Sequence, residues 1–152
     1  MAIRKVVKID KDNEFLRKKS KPVKDFDENL WELLDDMKET MHQNDGVGIA
    51  AVQVGGLKRA VVVEPNGMFL ELINPEIISQ EGEDTMEEGC LSVGRIRGLV
   101  SRPMKVTVKA QDRFGYDFVI TGEKYLARVI CHELDHLDGV LFIDKMIKEV
   151  KD

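Results

Sequence analysis

A chain of 152 residues, 43% hydrophobic and 34% charged, has the balance of a soluble globular protein and the length for one domain, spanning 1–152, with a sizeable core. Its net charge of -5 gives no support to general nucleic-acid binding, and no stretch approaches the roughly 20 apolar residues that cross a bilayer. The opening MAIRKVVKIDKDNE has no apolar run before its charges resume, so no secretory signal is expected; two cysteines make no disulfide framework, and a reducing, cytoplasmic compartment fits.

Ile3, Val6, Val7 and Ile9 form a short apolar opening, and the basic run at 17–21 reads as a solvated segment leading into a turn at KSKPV. Asp25 or Asp27 can cap a helix running to about His42, with Leu30, Leu33, Leu34, Met37 and Met41 in one apolar stripe and Asn44-Asp45-Gly46 as its stop. Strands are predicted over 59–65, 69–78, 104–112 and 116–122, all rich in β-branched and aromatic residues. Pro75 makes part of the second an edge or a break, and Arg113-Phe114-Gly115 suits a hairpin turn between the last two. A helix over about 122–137 follows, with Thr121 as N-cap, Glu123 favouring its positive start and Gly139 placed for the C-cap. Its wide apolar face (Leu126, Val129, Ile130, Leu134, Leu137) predicts burial against sheet. The tail LFIDKMIKEVKD is expected to form a short strand and a last helical turn. This order predicts the α+β class: small antiparallel or mixed sheets around a central helix, with an amphipathic helix near the N-terminus.

That central helix carries CHELDHLDG. His132 and His136 stand four residues apart, so on a helix both imidazoles project from one face within reach of a shared metal ion. Glu133 sits beside the first of them, where it can handle protons. Tyr125 and Val129 fall on the same stripe, which makes Val129 an apolar floor one turn from the pair. A useful site needs a third ligand. His42 lies off its helix's apolar stripe and reads as an exposed polar residue; Cys131 points about 100° away from His132 and reads as a packing residue. Cys90, in Glu88-Gly89-Cys90-Leu91-Ser92, would alone pass for a buried structural cysteine, but with the histidine pair the ligand reading wins. One thiolate and two imidazoles suit Zn²⁺ or Fe²⁺ and leave a fourth position for water, the mark of a catalytic site.

GVGIAAVQVGG at 46–56 is the second unusual stretch. It lacks the third glycine of a dinucleotide loop and the lysine of a phosphate loop. What remains is a backbone built for close approach with one amide, Gln53, whose NH₂ can donate to a substrate oxygen.

GVGIAAVQ, EGCLS and HELDH, in that order, resemble the peptide deformylase family over nearly the whole chain, including LRKKSKPV near the start and GVLFID near the end. The resemblance implies a metal-dependent hydrolase that removes the formyl group from the N-terminal formyl-methionine of new polypeptides. It implies Cys90, His132 and His136 as ligands of one divalent ion, with Fe²⁺ expected and Zn²⁺ or Ni²⁺ able to replace it. Glu133 would be the general acid/base, with Gln53 and the Leu91 backbone N–H as oxyanion donors. Val47, Met86 and Val129 would line the methionine pocket, Gly48 and Arg97 would meet the substrate main chain, and Glu88, paired with Arg102, would complete the wall and brace the cysteine loop. A monomer meeting nascent chains near the ribosomal exit tunnel is expected, without membrane or specific nucleic-acid contact. The sequence departs from the family at Cys131, where glutamine is usual, at Val52, at Val93-Gly94, which would loosen the cysteine loop, and in stopping soon after the metal helix.

Overall fold

A computed structural model describes residues 2–151. In chain order the elements are α1 (Ile9–Leu16), α2 (Glu28–Gln43), β1 (Gly48–Ala50), a 3-10 turn (Ala51–Val54), β2 (Ala60–Val63), β3 (Leu70–Glu81), β4 (Asp84–Glu88), β5 (Gly98–Arg102), β6 (Lys105–Gln111), β7 (Asp117–Glu123), α3 (Tyr125–Leu137), α4 (Phe142–Lys145) and β8 (Lys148–Glu149). One antiparallel sheet has the order β1-β2-β3-β6-β7 and a smaller one the order β4-β5-β8, so the α+β expectation holds.

The larger sheet lies between the two long helices, and β2 shows why. Its sequence, Ala-Val-Val-Val, is buried throughout. Alternate side chains of a strand point to opposite faces. Val61 and Val63 therefore join the cluster under α3, with Val129, Ile130, Leu134 and Leu137. Ala60 and Val62 join the cluster under α2, with Leu30, Leu33, Leu34, Met37 and Met41. Each of these large side chains contributes about 1.5–3 kcal/mol on burial, which fixes α2 and α3 on the sheet more firmly than helix propensity could. Asp27 caps α2 as expected, its carboxylate accepting the Leu30 N–H at 3.2 Å.

Several expectations are corrected. Helix α3 begins at Tyr125, not near 122: β7 continues to Glu123, and Thr121 pairs with Thr107 of β6, the hydroxyls 3.0 Å apart, instead of capping the helix. The tail forms its helical turn first and its strand second. Helix α1 was not expected: it is only eight residues long, has no side-chain cap and buries only Leu16. Nor were β1, β4 and β5; the inward positions of the last two include charged side chains, Glu88 and Arg102, which hide the apolar alternation. Pro75 does break the register of β3. The bulge beside it is filled by Asn74, whose amide exchanges hydrogen bonds with Val23 at 2.8 and 2.9 Å. Gly139 ends α3 at φ +75°, where a side chain would also strike the Arg17 carbonyl.

Candidate active site

Helix α3 turns His132 and His136 to one side, with ring centroids 5.2 Å apart. The loop after β4 brings Cys90 to the same point, its Sγ 3.4 Å from His136 Nε2. One donor atom from each of the three lies within 4.8 Å of the others. His132 Nδ1 is held 2.8 Å from Glu88 Oε1, which leaves Nε2 as its donor towards the group. Phe142 stacks on the His132 ring at 6.0 Å and fixes its plane. Burial opposes charge on both imidazoles. In His132, contact with Cys90 and Glu88 outweighs burial and holds it well above its usual range, whereas His136, fully buried, is held well below. A thiol and two imidazoles in this geometry are a donor set that one divalent cation fits, with room for a fourth ligand on the cavity side.

Glu88 is the hub beneath His132. Arg102 grips it with two bonds of 2.9 and 3.0 Å, and Arg128 adds a third. Arg102 also reaches Asp135 at 2.6 Å, and Arg128 holds the Asp84 and Val100 carbonyls at 2.7 and 3.0 Å. Burial alone would raise the Glu88 carboxyl, but His132 and Arg102 overcome it and hold it down at about 2. Every oxygen of Glu88 is thus engaged by protein, so it orients His132, and it also lines the cavity at its base. Arg128 was missed: between Ala127 and Val129 nothing but its position on a buried face marked it.

Glu133 has the opposite surroundings. It is 5% exposed, Oε1 has no partner among the described residues, and burial pushes its carboxyl up to about 7. Its other oxygen lies against Gly48, where an added Cβ would stand 2.7 Å away. Gly48 therefore has a steric reason to be glycine.

Gln53 is 1% exposed. Its Oε1 accepts the Ala50 N–H at 2.9 Å, which turns Nε2 toward Ser92 Oγ at 3.1 Å and Cys90 Sγ at 3.6 Å. A cavity of about 770 Å³ opens over these groups, lined by Val47, Gly48, Leu91, Arg97, Tyr125 and Val129 among others. Met86 is not brought into that lining; it lies half exposed on β4, opposite Val100. His42 is exposed and pairs with Glu64 at 2.7 Å, as expected of a non-ligand. Cys131 is buried in the core under α3, and burial pushes its thiol up to about 11, so it packs as a neutral side chain. Of the Val93-Gly94 pair, Val93 is buried with Val100, Leu141 and Phe142, and Gly94 is exposed at φ +76°.

A thiol and two imidazoles beside a buried carboxyl at the base of an open cavity are a donor set that could hold one metal ion, as expected of a metal-dependent enzyme. The model of the polypeptide deformylase family matches residues 3–152, and the chain belongs to that family. It is 55% identical over 152 residues to the peptide deformylase of Caldicellulosiruptor bescii, covering 100% of this chain and 90% of that one. The solved peptide deformylase of Thermotoga maritima superposes with a TM-score of 0.92 at 39% identity, covering 96% of this chain and 99% of that one. For the enzyme from Legionella pneumophila the TM-score is 0.90 at 47% identity, covering 95% and 86%.

Proposed function

We propose that this chain hydrolyses the formyl amide at the N-terminus of formyl-methionyl polypeptides, releasing formate and a free amine. The observation that carries the reading is the convergence of Cys90, His132 and His136 beside Glu133 and Gln53. A divalent cation held by the three side chains supplies the Lewis acidity that makes water nucleophilic near neutral pH; Fe²⁺ fits the family, and Zn²⁺ or Ni²⁺ the same donors. Glu133, buried and pushed up to about 7, takes a proton from the attacking water and returns it to the nitrogen as the carbon–nitrogen bond breaks. The Gln53 amide and the Leu91 backbone N–H donate to the carbonyl oxygen as it gains charge; one such donor is typically worth about 10² to 10³ in rate. Val47, Tyr125 and Val129 offer apolar surface to the methionine side chain, and Gly48 and Arg97 lie where an extended peptide main chain would run. The setting that fits is a cytoplasmic monomer acting on nascent chains; no helix among the described residues is long and apolar enough to cross a membrane.

The test is turnover of formyl-Met-Ala-Ser against unformylated Met-Ala-Ser under oxygen-free conditions, coupled to a metal assay. Formate release from the first alone, in proportion to about one bound cation per chain, is expected. Cleavage of an internal peptide bond instead would make the protein a peptidase and overturn the reading.

A further inference from the structure

Residues 2–9 cross the molecule as a strap, and its end binds the backbone carbonyls of Gln53 and Leu91, the two residues proposed to supply the oxyanion donors. At one end the Ala2 N–H and the Arg4 side chain bind Asp36 of α2 at 2.7 and 2.9 Å, and the Arg4 N–H binds Thr40 at 2.8 Å. Further on, the Val7 N–H donates to the Gln53 carbonyl at 2.7 Å, and the Ile9 N–H to the Ser92 carbonyl at 2.8 Å. Between them the Lys8 ammonium donates to the Leu91 carbonyl at 2.7 Å, from a position on the cavity wall. The 3-10 turn carrying Gln53 and the loop carrying Leu91 belong to different parts of the fold. The Gln53 side chain's contacts with Ser92 and Cys90 and the packing of Leu91 on the cluster that holds Ala51 and Val54 join them, and the strap adds backbone and lysine hydrogen bonds to both.

The geometry points to Lys8 as a positioning residue of the reaction: by holding the Leu91 carbonyl it restrains the backbone at Leu91, and through the Leu91 Cα the preceding peptide that carries the N–H, so that this N–H and the Gln53 amide hold one spacing. The inference rests on the assignment of those two groups as oxyanion donors. Preorganised donors are worth more than mobile ones because no reorganisation is needed as charge develops. A charged donor to a carbonyl is also stronger than a neutral one. A lysine on this short strap thus anchors a loop that its single internal bond, from the Val93 N–H to the Cys90 carbonyl at 3.1 Å, would hold less firmly.

The test uses the nickel-loaded full chain. Lys8→Met keeps the aliphatic stem and removes the charge; Lys8→Arg keeps a donor; Lys5→Met, at an exposed position, is the control. In Lys8→Met we expect kcat on formyl-Met-Ala-Ser to fall roughly tenfold with KM within about twofold, since a misplaced donor costs less than a deleted one. Lys8→Arg should recover most of the loss. Amide hydrogen exchange across 89–94 should quicken in Lys8→Met and stay normal in Lys5→Met, a readout that needs no turnover. An unchanged kcat, a loss confined to KM, or unchanged exchange in the loop would overturn the assignment of Lys8. Failure of the unaltered protein to release formate would sink the proposed function instead, and the exchange measurement would still decide whether Lys8 holds the loop.

Discussion

Glu88 and Glu133 lie on either side of the His132 imidazole, both buried, and their surroundings push them in opposite directions. Glu88 faces two arginines and the histidine and is held down at about 2; Glu133 faces Gly48 and the cavity with one oxygen unpartnered, and is pushed up to about 7. A carboxyl fixed as an anion can orient an imidazole but cannot shuttle protons near neutral pH. A carboxyl poised near neutrality can do so. Helix α3 and strand β4 therefore hold two carboxyls in opposite states, one a fixed anion and one suited to the proposed proton transfer, and the difference lies in whether arginines are supplied.

The largest effect should come from removing the poised group. Glu133→Gln should keep one metal ion per chain and lower kcat by about 10²- to 10⁴-fold, the range of general acid–base catalysis. Elemental analysis alongside turnover checks it; near-normal turnover in the loaded variant would return Glu133 to the status of a buried bystander. Next comes the support. Glu88→Ala strands Arg102 and Arg128, which are 3% and 4% exposed. Removing one member of such a buried charged group costs about 3–5 kcal/mol, to be read by urea denaturation of the metal-free protein. Losing its hold on His132 should also weaken metal binding by about 10- to 100-fold.

The pair can also be separated by pH. Between about 4.5 and 7 the folded metal-free protein keeps a proton on Glu133 that the unfolded chain has lost. Stability from this group is therefore full below 4.5 and declines as pH rises to 7, by about 3 kcal/mol on a shift of this size. Glu88 has the reverse sign: its contribution is present above 4.5 and is lost as pH falls towards 2. Subtracting the Glu133→Gln denaturation curve from that of the unaltered protein, in chelator, should leave the declining slope; a flat difference would mean that Glu133 is solvated. Bound metal should shrink the slope, since a cation favours the carboxylate.

What the sequence made legible follows the same division. His132, Glu133 and His136 could be placed because helical spacing alone sets their common face, and the apolar stripe of α2 and the hairpin of β6 and β7 were local patterns too. Of the support, the Glu88–Arg102 pair came only with the family resemblance, and it holds; Arg128 and Lys8 were not legible at all. Arg102 meets Glu88 across 14 residues, Arg128 meets it across 40, and Lys8 meets Leu91 across 83, so no local pattern contains the pairs. Buried charges at strand positions also erased the alternation that would have announced β4 and β5. The family resemblance places Glu88 and Met86 in the pocket wall; Glu88 does line the cavity, while Met86 lies half exposed on β4 outside its lining.

The smallest predicted effect tests whether Glu133 is held by shape. Nothing polar among the described residues fixes its Oε1, so its position depends on the walls around it, and Gly48 is one of them. An alanine methyl there would sit 2.7 Å from Oε2 and 3.0 Å from Cγ, too close for either to stay. The carboxylate is the free end of a flexible side chain, so the fold can yield by a rotamer change instead of a backbone shift, at about 0.5–1.5 kcal/mol. Stability should therefore change little, while the Glu133 carboxyl moves by about a few tenths of an ångström or more. Gly48→Ala should lower kcat about tenfold, with metal content and urea midpoint close to those of the unaltered protein. Comparison with Gly46→Ala, whose added Cβ would meet the Leu91 side chain at 3.3 Å and not Glu133, separates crowding of the carboxylate from crowding of the loop. Equal losses in the two variants would show that backbone freedom near β1, and not room for Glu133, is what those glycines provide.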